Sequence, residues 1–168
     1  MKMASGVAPV GELREAGVVV GLGTDGPANN NGLDLFGEMK AACLLQNISR
    51  RAPGSLRAED ALEMATIDGA RAIGQGDRLG SLEEGKQADI VLIDLARPNT
   101  WPAHDPVANI VFAARASNVD TVIVDGQVLM RGGAVTVCDE AEVIEEAAAA
   151  ATALSEILPS RTPRWPVL

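Results

Sequence analysis

Aromatic side chains are nearly missing from this chain. Its 168 residues include two tryptophans, two phenylalanines and no tyrosine, so alanine, valine and leucine must fill the interior. Cysteine is scarce too. Cys43 and Cys138 stand apart, without C-x-x-C spacing, and both read as buried thiols of a reducing compartment. His104 is the one histidine. Basic residues are outnumbered, 14 against 23 acidic, and the formal charge of -9 argues against a nucleic-acid or anionic-membrane surface. The start carries no apolar signal core, and no run of about 18 apolar residues offers a membrane span. The expected compartment is the cytoplasm. What is there, 47% of it hydrophobic, suffices for one domain with a core.

The most informative stretch is Val18-Val19-Val20-Gly21-Leu22-Gly23-Thr24-Asp25-Gly26. Three consecutive β-branched residues read as a buried strand, and Asp25 stands at its carboxyl end. In parallel α/β folds that end of a strand is where chemistry is done. Two other readings compete. Gly21, Gly23 and Gly26 spell the dinucleotide pattern G-x-G-x-x-G, which needs a helix opening straight from the turn. Here Pro27-Ala28-Asn29-Asn30-Asn31-Gly32 intervenes as loop chemistry, and Asp25 sets a carboxylate where a phosphate would lie. The plainest reading makes Asp25-Gly26 a turn and nothing more.

Elsewhere the pattern alternates between helical and β-rich. Pro9, Val10, Leu13 and Ala16 suit a short helix ended by Gly17. Asp34 caps a helix expected to reach about Asn47, with Leu35, Met39, Ala42 and Cys43 on one face. A second helix follows Ser55, with a small-residue stripe of Leu62, Ala65, Gly69, Ala72 and Ile73, and ends at Gly74. Residues 88–94 read as a strand, and residues 98–106 as irregular. Strands at 120–124 and 127–130 flank Asp125-Gly126, a type I′ hairpin signal, and residues 134–137 follow a Gly-Gly turn. Asp139 and Glu142 resemble a capping box before a helix carrying Val143, Ala147, Ala151, Leu154 and Leu158 in register. The tail from Pro159 reads as an extended arm. Residues 1–9 look like a loop already under way, and the strand at Val18 lacks a parallel neighbour. Both features point to a missing half, and they predict exposed edges and self-association around residues 1–50.

Several segments together resemble the amidohydrolase superfamily. They are Gly21-Leu22-Gly23-Thr24-Asp25-Gly26, Asn29-Asn30-Asn31-Gly32-Leu33-Asp34-Leu35-Phe36-Gly37-Glu38-Met39, Ala61-Leu62-Glu63-Met64-Ala65-Thr66, and Gly80-Ser81-Leu82-Glu83-Glu84-Gly85-Lys86-Gln87-Ala88-Asp89-Ile90. Lys2 to Pro9, Asp105-Pro106-Val107 and Val119 to Gly126 continue the likeness, which covers nearly the whole chain in order. The closest branch resembles the 5-methylthioadenosine/S-adenosylhomocysteine deaminases.

The resemblance implies an α/β fold: the C-terminal fragment of a (β/α)8 metal-dependent hydrolase barrel plus part of the flanking β-sandwich. Residues 1–78 would be the last βα segment with its following helices. Residues 79–137 would be the C-terminal share of the sandwich, and residues 138–168 a terminal helix and tail. It implies that Asp25 is both a catalytic residue and a ligand of a divalent metal, zinc by family. The implied substrate is an adenosine thioether that releases ammonia, and the implied partner is the missing N-terminal part. Homo-oligomerisation is left open.

The family's H-x-H pair, two further histidines and acid-base glutamate have no counterpart here. His104 is one residue in a proline-rich loop, whereas catalytic zinc takes about three protein ligands. Glu38, Glu59 and Glu63 read as helix-face charges, and Cys43 as core. The chain alone is therefore expected to be inactive. The alternatives are a related amidohydrolase (a chlorohydrolase or another aminopurine or triazine deaminase) or a non-catalytic module that complements another subunit.

Overall fold

The computed structural model describes residues 5–157. Helices α1 (Val10–Glu15), α2 (Pro27–Asn30), α3 (Leu35–Arg50), α4 (Ala58–Ala65) and α5 (Ile67–Ala72) come first. Strand β1 (Ile90–Ile93) and helix α6 (Pro106–Phe112) lead to β2 (Val119–Val124), β3 (Gln127–Arg131) and β4 (Ala134–Val135). Helix α7 (Glu140–Ile157) ends the described chain. The result is a helical layer joined to a four-stranded antiparallel sheet of order β1-β2-β3-β4.

The helical layer holds the core. Asp34 caps α3 as expected, its Oδ1 accepting from the Phe36 N–H at 3.0 Å. That helix turns Met39, Cys43 and Gln46 inward and ends at Arg51, in the left-handed region at φ 52°. Across from it α4 buries Ala58, Ala61 and Met64, and α6 contributes Val111. Met64 and Val111 are fully buried. Methionine therefore takes the volume that aromatics would fill in another protein, its flexible thioether suiting irregular gaps.

Three expectations, on two helices and a thiol, change. The single helix after Ser55 is two, broken at Thr66 (φ -126°, ψ -98°), whose Oγ1 donates back to the Leu62 carbonyl at 2.6 Å. The break shifts the phase of the buried face. Ala70 is buried while Ile73 is 71% exposed, so the expected stripe fails at Ile73. Second, α6 lies where no helix was expected. Its signal was present: Asp105 Oδ1 accepts from the Ala108 N–H at 3.0 Å, Pro106 occupies the first turn, and Val107, Ile110 and Val111 keep helical spacing. Third, Cys138 is exposed, not buried.

The valine run forms no ladder among the described residues, which corrects the expected strand. A parallel strand exists only through hydrogen-bonded neighbours, and none lies alongside residues 18–26. Val18 and Val19 are about half exposed. Val20 and Leu22 instead pack on the helical core, and the Leu22 N–H donates to the Met64 carbonyl at 2.9 Å. The small residues of α5 allow a close approach. A Cβ on Gly21 would stand 2.9 Å from Gly69 Cα, so the backbone crosses α5 at a distance that only glycine permits.

The hairpin follows its sequence signal. Asp125 (φ 49°) and Gly126 (φ 77°) are both left-handed, as a type I′ turn requires. Asp139 caps α7, its Oδ1 accepting from the Ala141 N–H at 2.8 Å. No residue of α7 is buried, and Val143 and Leu154 of the expected stripe are about half exposed. Leu158 and the tail from Pro159 lie outside the described residues. No helix among the described residues is long and apolar enough to cross a membrane.

Charges tie α1 to α4 and α5. Arg14 reaches Asp68 Oδ2 at 2.8 Å and Asp60 Oδ1 at 3.4 Å. Asp60 also accepts from the Arg57 N–H at 3.0 Å. Partial burial pushes the Asp60 carboxyl up, but the Arg57 side chain and N–H, with Arg14, outweigh it and hold it below its ordinary 3.8. A lowered carboxylate contributes stability that is complete above its unfolded value and is lost as pH falls through the folded one. Asp60→Asn should therefore lower urea stability at neutral pH, and the gap to wild type should close only below pH 3.8.

Candidate active-site loop

Residues 24–34 form a connection between the segment that crosses the core and helix α3. Thr24 Oγ1 donates to the Asp25 carbonyl at 3.1 Å, and Asp25 itself is left-handed at φ 60°. Asp and Asn tolerate that region better than other side-chain-bearing residues, because their short polar groups bond locally. Here they do. Asp25 Oδ1 accepts from the Gly26 N–H at 2.7 Å, and Oδ2 accepts from Asn29 Nδ2 at 3.1 Å. The residues read as loop contain one helical turn, α2, which holds Asn29 and Asn30. Asn30 Nδ2 donates to the Thr24 carbonyl at 2.8 Å and to Glu38 Oε1 at 2.6 Å.

This geometry disposes of the dinucleotide reading. Gly21 serves helix packing, while a Cβ on Gly23 or Gly26 would meet nothing within 4 Å. The Gly26 N–H that a phosphate would need is taken by the carboxylate of Asp25. A four-residue helix also offers little dipole.

Asp25 is exposed. An ionised carboxylate presents about four lone pairs, and two here are in use, leaving one on each oxygen for a cation. One carboxylate is not a metal centre, however, and no cluster of three or more His, Cys, Asp or Glu able to hold a metal occurs among the described residues. The chain thus fits one share of a metal site and not the whole. His104 is exposed just before the α6 cap, Glu59 is exposed, and Glu63 lies 3.7 Å from Arg14. Cys43 is buried, and burial with the nearby Asp60 charge pushes its thiol up, away from reactivity. Sequence reasoning missed the link from Asn30 to Glu38. The signal was the asparagine run itself, which offers side-chain amides beside a left-handed turn.

The amidohydrolase family model matches residues 1–129. The chain belongs to the amidohydrolase family. This amidohydrolase chain is 49% identical over 156 residues to a 5-methylthioadenosine/S-adenosylhomocysteine deaminase of Desulforudis audaxviator, covering 93% of the chain and 36% of the relative. It is 49% identical over 154 residues to a 5'-deoxyadenosine deaminase of Methanosarcina acetivorans, covering 92% and 35%. Among solved structures, an adenosine deaminase from Xanthomonas campestris with bound zinc superposes with a TM-score of 0.90 at 36% identity, covering 92% of the chain and 35% of that protein. The amidohydrolase chain therefore spans about a third of the length of the curated relatives it matches. Its α/β architecture corresponds to about a third of that solved deaminase.

Proposed function

We propose that this chain is the C-terminal portion of a metal-dependent hydrolytic deaminase acting on a 5′-substituted adenosine, a thioether or 5′-deoxy compound. The observation that carries the reading is 49% identity to two deaminases of such nucleosides across more than nine-tenths of the chain. Water adds at the amine-bearing purine carbon, ammonia leaves, and an inosine-type product remains. In this reading residues 1–78 complete a (β/α)8 barrel, residues 79–137 join the flanking sandwich, and residues 138–168 form a closing helix and tail.

Asp25 is the one residue of this chain assigned to the chemistry. Its free lone pairs bind the metal, zinc in the solved relative, and its carboxylate holds a proton in transit. The metal, when bound, supplies a nucleophilic water at neutral pH. The remaining ligands come from the part of the enzyme that this chain does not span. The chain alone is then inactive, and a cytoplasmic, reducing setting suits its two unpaired thiols. A chlorohydrolase has less support, because both curated relatives above remove ammonia from purine nucleosides.

Fragment complementation tests this. The chain is purified alone, and also co-expressed with the first two thirds of the 5-methylthioadenosine deaminase relative, each with zinc. Ammonia from 5-methylthioadenosine or 5′-deoxyadenosine is expected only from the pair. Turnover by the chain alone would overturn its incompleteness. A zinc-loaded complex that leaves every 5′-substituted adenosine untouched would overturn the substrate class.

A further inference from the structure

We infer that Glu38 is a positioning residue: acting through Asn30, it holds the left-handed turn at Asp25 and so sets the aim of the Asp25 carboxylate. The importance of that aim rests on the metal-ligand reading above; the latch itself does not. A primary amide has two N–H donors, and Asn30 uses both, one on the Thr24 carbonyl and one on Glu38 Oε1. The carbonyl it grips belongs to the peptide that joins Thr24 to Asp25. The amide therefore restrains the backbone just where φ turns positive.

Glu38 is the fixed end of this chain of bonds. It sits in the first turn of α3, a helix anchored by the Asp34 cap and by fully buried Cys43 and nearly buried Met39. Glu38 is itself half-buried, unlike a solvated face charge. The loop residues from Gly26 to Leu33, by contrast, bury no side chain in the core. Without the Glu38 tether, Asn30 would keep only its partners within the loop, the Thr24 and Gly26 carbonyls. Glu38 forms no ion pair among the described residues, so its role is acceptance of one hydrogen bond. A glutamine retains the accepting oxygen.

The probe is amide exchange at Gly26, whose N–H donates to Asp25 Oδ1. It is measured by NMR on the whole 168-residue chain, without metal or substrate. Glu38→Ala should speed Gly26 exchange at least tenfold, with the core amides of α3 and α4 unchanged. Glu38→Gln should stay within about threefold of wild type. Wild-type exchange in Glu38→Ala, or equal acceleration in both variants, would overturn the latch. The outcome does not depend on whether Asp25 binds metal.

Discussion

Asp25→Asn is expected to lower turnover in the complemented enzyme by about a hundred- to ten-thousand-fold, the range that a positioned proton-handling group supplies, while the melting transition of the chain stays in place. Asparagine is the sharper substitution for three reasons. It tolerates the left-handed backbone at φ 60°. Its side-chain oxygen can still accept from the Gly26 N–H, which the carboxylate does now at 2.7 Å. It removes the charge, the capacity to carry a proton and the acceptor that Asn29 Nδ2 now uses at 3.1 Å. Asp25→Ala would lose those as well, but would add about 1–2 kcal/mol of backbone strain, so a loss of folding could pass for a loss of chemistry. Because Asp25 is exposed, the asparagine variant should change stability by no more than about 0.5 kcal/mol. A variant that turns over like wild type would make Asp25 a turn residue, the plainest reading of Asp25-Gly26.

How much of this was legible beforehand depended on whether a signal was local. Asp34, Asp139 and the Asp125-Gly126 turn act within a few residues of themselves, and each sits in the structure as its chemistry requires. Asp25 was singled out for its place after a run of valines, yet that run is not a strand in this chain. Strand pairing is a property of neighbours, and periodicity cannot supply them. The helical face after Ser55 failed for a related reason. A Thr66 hydroxyl bonding back to Leu62 ends one helix and starts another, and a hydrophobic stripe carries no mark of such a break. Prolines on either side of His104 mask the Asp105-Pro106 start of α6, whose cap only the structure displays. The Glu38–Asn30 contact spans eight residues through a loop of irregular φ, which no linear pattern encodes.

The second large effect concerns the joint between the helical layer and the sheet. Gly80 lies between α5 and β1 at φ +88°, and a Cβ there would meet Ile67 Cα at 2.7 Å, Ala70 Cβ at 2.8 Å and the Thr66 carbonyl at 2.9 Å. Two of these atoms are backbone and the third is a methyl on a buried residue, so nothing can swing aside. Gly80→Ala must therefore carry the left-handed cost of about 1–2 kcal/mol together with an overpacking cost of about 1–3 kcal/mol. Gly85 provides the control. Its φ is +89°, nearly the same, but a Cβ there would meet nothing within 4 Å. Gly85→Ala carries the backbone strain alone, reduced by the roughly 0.4–1 kcal/mol gained from stiffening the unfolded chain. Urea titration of the two variants should place Gly80→Ala below Gly85→Ala by the overpacking difference. Equal losses would mean that α5 can move away from the joint, and that the break at Thr66 is a hinge instead of a fixed corner.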